Sequence, residues 1–224
     1  MKREKVGLRI LVIVTAVFLV LLAADRLWAG EEKGDGPTSG FYVSFTPSIV
    51  FPFSVETTSP GLTPAETRAK WGAGIGGSLG YRYSDFRVEG EIQYGRNEVK
   101  DIRFVGGGGD MSGYYDLWGA TINFFYDIPT GVRFRPYVGA GLGAALFEAH
   151  DITLDGFPPT RGSNKLFTYR LMAGVSYALA NSWRLLFGYR FMGIRGPDFE
   201  TGGIPLYGGP LQMHAIQAGV QFYF

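Results

Sequence analysis

The chain offers little material for catalysis. Cysteine is absent and histidine occurs twice among 224 residues, so disulfide staples, thiolate metal sites and cysteine nucleophiles are excluded together. His150 stands beside Asp151, with Ser163 farther along the same segment. A base, an orienting acid and a nucleophile are thus present in name, but such spacing arises by chance in most polar segments. His214 lies in an apolar run near the end of the chain, where an interfacial aromatic role accounts for it. The acids Asp110, Asp151, Asp155 and Asp198 lack the ligand spacing of a calcium loop. Gly106-Gly107-Gly108-Gly109 is followed by neither Lys-Ser/Thr nor a helix, so it is no phosphate cradle. The expectation is a protein that is not an enzyme and holds neither metal nor cofactor.

A different set of charges has a regular placement. Arg82, Arg87, Arg135 and Arg184 fall within a few residues of short turns, Glu89 and Glu91 follow Arg87 at alternate positions, and Arg190 repeats the spacing of Arg184 farther along its run. All seven share the parity of the small residues in their segments. If that parity faces a closed interior, each charge must find a partner, because an unpaired buried ion costs several kcal/mol. An Arg-Glu network helped by Asn123 and Gln221 is therefore expected. It would be a structural plug filling the lower interior, or the gate of a narrow pore.

The elements that would position these charges are strands. Glycine supplies 34 residues, aromatics 16% and charged residues only 18%, against roughly a quarter charged in soluble domains. No segment past residue 40 keeps a helical period, whereas apolar side chains recur at every second position. Eight such runs are predicted: Phe41–Phe53, Trp71–Tyr83, Phe86–Tyr94, Trp118–Tyr126, Phe134–Leu146, Phe167–Tyr177, Trp183–Phe191 and His214–Phe224. The connections alternate. Ser84-Asp85, Asp127–Gly131 and Ala180–Ser182 are tight turns, while 54–70, 100–113, 150–165 and 194–211 read as four long, mobile, exposed loops. Short turns on one side and long loops on the other match an outer-membrane barrel. The less apolar parity is rich in Gly and Ala, which suits the crowded interior of eight strands, and aromatics gather at the segment ends as interfacial girdles require. The Gly-rich upper interior is expected to leave unfilled space.

Residues 1–29 carry Lys2, Arg3, Lys5 and Arg9, an apolar run from Ile10 to Ala24 and a terminal Ala29. This is the layout of a cleaved secretory signal peptide, too short in its apolar part to span a bilayer. Its removal takes away more basic than acidic residues. The mature surface is then slightly acidic and unsuited to nucleic acid. Residues 30–40 form a periplasmic lead, and 41–224 the barrel.

Gly40-Phe41-Tyr42-Val43, the stretch Arg135-Pro136-Tyr137-Val138-Gly139-Ala140-Gly141-Leu142-Gly143, and the closing Gln217-Ala218-Gly219-Val220-Gln221-Phe222-Tyr223-Phe224 carry a resemblance. From Phe41 onward the chain resembles the small outer-membrane β-barrel superfamily, which includes the transmembrane domain of outer-membrane protein A, opacity-type adhesins and bacterial surface-antigen barrels. The resemblance implies an all-β, eight-stranded antiparallel up-and-down transmembrane barrel in the outer membrane of a Gram-negative-type bacterium. It implies contact with outer-membrane lipid and recognition of Phe224 by the barrel-assembly machinery. A structural or surface-recognition role is expected, with an extracellular ligand for the loops. The alternatives are a narrow pore for ions or small solutes and, more remotely, a lipid-modifying enzyme.

Overall fold

The computed structural model describes residues 39–58, 64–154, 160–196, 198–201 and 204–224. The predicted signal peptide and most of the predicted lead lie outside these. The described residues form β1 (Ser39–Val50), β2 (Ser54–Thr58), β3 (Ala65–Tyr83), β4 (Phe86–Phe104), β5 (Gly107–Asp127), β6 (Phe134–Leu154), β7 (Thr160–Ala178), β8 (Trp183–Ile194), β9 (Asp198–Thr201), β10 (Ile204–Gly208) and β11 (Leu211–Tyr223). Eight of them, β1, β3 to β8 and β11, make an antiparallel ring. Sequential neighbours pair around it, and β1 closes it by pairing with β3 on one edge and β11 on the other. Closure leaves none of the eight ring strands as a free sheet edge, the condition for any sheet that spans a bilayer. The short strands β2, β9 and β10 join into one patch on the long-loop side, where β2 pairs with β3 and β10 pairs with both β2 and β9.

The staves are longer than a membrane requires. A spanning strand needs about 9–11 residues, yet β3, β4 and β7 have 19 and β5 and β6 have 21. Outward residues are apolar and exposed from the short-turn end to a definite level, as in Phe86, Val88 and Ile92 of β4, and become charged above it at Arg96, Glu98 and Lys100. Aromatic pairs mark both edges of the apolar band. Phe41–Tyr81, Phe86–Tyr126 and Trp183–Phe222 lie 4.8, 5.2 and 4.8 Å apart near the turns, and Phe51–Trp71 and Tyr94–Trp118 lie 4.8 and 4.6 Å apart at the other edge. Phe224 is exposed on the lipid side, stacked 6.3 Å from Phe41.

The long connections differ from expectation. Residues 100–113 are not a loop but the top of the β4–β5 hairpin, turned at Val105-Gly106 with Gly106 at φ 94°. Phe104 pairs with Gly107 and Asp101 with Asp110. Glycine is a poor strand former by itself. Here Gly107, Gly108 and Gly109 are held by an existing neighbour strand, so pairing overrides propensity. Strand also replaces much of the other three predicted loops: 54–58 and 65–70 in the first, 150–154 and 160–165 in the third, and 198–201 with 204–208 in the fourth. Register shifts near Ala69 and Glu98 accommodate the change from membrane to projecting barrel.

Candidate functional site

The lower lumen is built around Asp127. This residue ends β5 and continues the inward parity of Asn123 and Phe125, although the sequence reading places it in a turn. Its carboxylate accepts hydrogen bonds from Arg82 and, at 2.9–3.0 Å, from Nε and Nη2 of Arg87. All three side chains are buried. The Arg87 guanidinium also lies 4.5 Å from the Phe125 ring centroid and 5.2 Å from that of Tyr137, so aromatic faces supply the rest of its solvation. Arg184 faces Tyr223 at 5.6 Å. Arg135 reaches Asp85 of the first turn at 3.4 Å.

One level higher the hub is Glu91. It accepts from Arg170 Nη1 at 3.0 Å and from Asn123 Nδ2 at 2.9 Å, and Arg190 Nη2 approaches its other oxygen at 2.8 Å. Arg190 also donates to the Gln93 side chain at 2.6 Å. Among the described residues no arginine is hydrogen-bonded to Glu89. Tyr42 and Ser78 donate to it at 3.0 and 3.2 Å. The network is therefore not the expected Arg-Glu set alone: Asp127 neutralises the lowest pair, and Arg170 joins Arg190 at Glu91. Both added residues carried a parity signal, Arg170 between Thr168 and Met172, and Asp127 two positions past Phe125.

Above Glu91 the inward face changes character. Val50, Phe53, Val55, Val99, Tyr115, Leu117, Phe147, Ile152, Met192, Ile194, Leu211 and Met213 form one buried apolar cluster inside the projecting barrel. The polarity of the wall is thus inverted along its length: apolar outside and charged inside within the membrane, charged outside and apolar inside beyond it. The glycines do not leave the expected vacancies. Positions where a Cβ would stand at Gly80, Gly139 and Gly188 are occupied by the rings of Tyr42 and Phe125 and the hydroxyl of Tyr137. Small residues admit their neighbours' large ones, so the interior stays packed. A cavity of about 10 Å³ lies among Arg87, Glu89, Glu91, Arg190 and Gln217, and one of about 30 Å³ among Gln93, Arg190, Leu117, Met192 and Met213. Each has room for little more than a water molecule or two.

The outer face carries a second polar cluster just above the aromatic edge. Asp116 accepts from Tyr94 at 2.9 Å and from Arg96 Nε and Nη2, both at 2.7 Å. His150 Nε2 lies 3.6 Å from Asp116 and 3.8 Å from Glu148, and its ring stacks on Tyr114 at 4.9 Å. Asp151 is not the acid that flanks that nitrogen. It sits at φ 46° where the β6–β7 register shifts. Ser163 pairs in register with Glu148. Burial alone would raise the Asp116 carboxyl, but the hydrogen bonds from Arg96 and Tyr94 outweigh it and hold that group below the ordinary carboxylate range. Hydrogen bonding from Arg68 does the same for Asp101 nearer the hairpin tip. Both folded-state values are depressed, so their stabilising effect is present above the ordinary value near ~4 and is lost as pH falls through the lower folded value. Protection of the upper β4–β5 amides from hydrogen exchange, corrected for intrinsic rates, is expected to drop between pH 6 and pH 3. Asp116→Asn should flatten that dependence, and an unchanged slope would contradict the assignment.

The family described as outer membrane protein beta-barrel domain matches residues 14–224. An uncharacterized protein of Brucella abortus is 29% identical, with 69% of each chain covered. Among solved structures, the outer membrane protein OprG from Pseudomonas aeruginosa superposes with a TM-score of 0.62 at 17% identity, over 85% of this chain and 99% of that one. Neisserial surface protein A superposes at 0.50 with 22% identity, over 84% and 100%. At these identities the structures speak to fold alone, and the family match covers most of the chain. The chain belongs to the outer membrane protein beta-barrel domain family, and its place is the outer membrane.

Proposed function

We propose that the protein is a closed structural barrel whose projecting hairpins recognise a ligand outside the cell, without catalysis. The observation that carries this reading is the two-zone interior, in which, among the described residues, a buried ion network is capped by an apolar cluster and the cavities beside Arg190 hold only about 10 and 30 Å³. A rigid wall that stands clear of the bilayer presents its polar face and hairpin ends as a binding surface. Export by the N-terminal signal and recognition of Phe224 by the assembly machinery belong to the same proposal, the latter supported by the exposure of that ring at the closing strand.

Asn97 and Tyr115 are directly paired, so joining them by a tight turn removes the upper β4–β5 hairpin without changing register below. The Leu146–Lys165 pair allows the same cut between β6 and β7. Cells displaying the shortened barrels should lose attachment to immobilised serum and extracellular-matrix proteins by at least about tenfold. Heat-modifiable barrel assembly should persist. Attachment that survives both cuts would overturn recognition by the hairpins. A second reading, a gated narrow pore, is favoured by one observation: Arg190 lines both cavities, so its movement would join them.

A further inference from the structure

Above the apolar band some outward cations are paired and others are not. On the β3–β6 side Lys70 pairs with Glu98 at 3.0 Å, Arg96 with Asp116 at 2.7 Å and Arg68 with Asp101. On the β7–β8 side two cations stand together. Lys165 is exposed on the outward parity of β7, two positions above Phe167, and Arg195 is exposed directly across from Phe167, to whose carbonyl its backbone N–H donates at 3.1 Å. Neither has an ion-pair partner among the described residues. Glu148 on β6, in register with Ser163, lies 3.8 Å from His150.

Immediately beneath these cations lies an aromatic shelf. The Tyr169 ring covers Gly193, which pairs with it across the strands. Phe191 lies 6.0 Å from Tyr169 and 5.3 Å from His214, and Tyr189 is hydrogen-bonded to His214 Nδ1. Two free cations one step above a ring platform, on the face that carries the lipid-exposed Phe167 and Leu171, match an amphiphile with an anionic, ring-bearing headgroup and acyl chains below. We propose that Lys165, Arg195 and the Tyr169–Phe191–His214 shelf form a binding site for a phosphorylated glycolipid of the outer leaflet. The cations hold the phosphate, the rings face the sugar, and the chains lie along β7 and β8. This site is independent of the hairpin recognition proposed above.

The test uses the whole barrel in phosphatidylcholine nanodiscs doped with bisphosphorylated lipid A, with retained lipid counted by native mass spectrometry across a doping series. Lys165→Ala with Arg195→Ala should weaken retention by about thirtyfold, the combined effect of two cations at an anionic surface. Each single Gln substitution should give about fivefold on the same scale, and Arg195→Lys should bind as the parent does. Dephosphorylated lipid A should be held no better by the parent than by the double variant. Inorganic phosphate should not displace the lipid. Equal retention by the double variant, or an equal loss with Lys100→Ala on the outer face of β4, would overturn the site. So would full displacement by inorganic phosphate, which would mean a free-anion site.

Discussion

Glu91→Gln is expected to lower the unfolding free energy by about 3–5 kcal/mol, because it strands Arg170 and Arg190 in the lumen without a carboxylate. That loss is a large part of a total that is typically about 5–15 kcal/mol. The neutral amide keeps the volume and still meets Asn123, so packing changes little and the effect is electrostatic. Urea unfolding in detergent micelles reads it as a lowered midpoint with an unchanged slope. A triple variant that adds Arg170→Met and Arg190→Met should recover most of the loss, since replacing a whole buried ion set by apolar groups is near neutral. If Glu91→Gln alone were silent, the guanidiniums would be solvated by water rather than held by Glu91.

Phe147→Ala should cost a similar amount, about 3–5 kcal/mol, for a different reason. Phe147 is fully buried, stacks on Tyr115 at 5.0 Å and belongs to the apolar cluster inside the projecting barrel. Removing its ring leaves a cavity that the closed wall cannot collapse around. The damage should be local: exchange should accelerate for upper β5 and β6 amides, while amides level with Ile122 and Leu142 in the membrane band remain protected. In an open channel the same side chain would face water, and its truncation would cost little.

The staves and their facing were legible because period-2 alternation in β4 or β8 has one geometric meaning once the chain is closed. The inward direction of Arg82, Arg87, Glu89, Glu91, Arg135, Arg184 and Arg190 follows from that parity, and all seven lie on the inner face. Their pairings did not follow. Which carboxylate meets which guanidinium depends on stagger between neighbouring strands, and Asp127 looked like the first turn residue because Asp is common at both strand ends and turns. The upper half departs from the sequence expectation for a related reason. Above Tyr94 and Trp118 charged residues switch to the outer face, so Asp101-Ile102-Arg103 or Asp110-Met111-Ser112 resembles loop sequence although it is strand. Inward glycines such as Gly139 and Gly188 admit Phe125 and Tyr137, which come from other positions in the sequence, and only the register brings them together.

Planar-bilayer recording of the full barrel decides whether the lumen is closed. A flat baseline is expected for the parent protein in molar salt at either polarity, with steps emerging only when the ion network is broken, as in Glu91→Ala. Steady, reproducible conductance steps from the parent protein would contradict it and favour the pore.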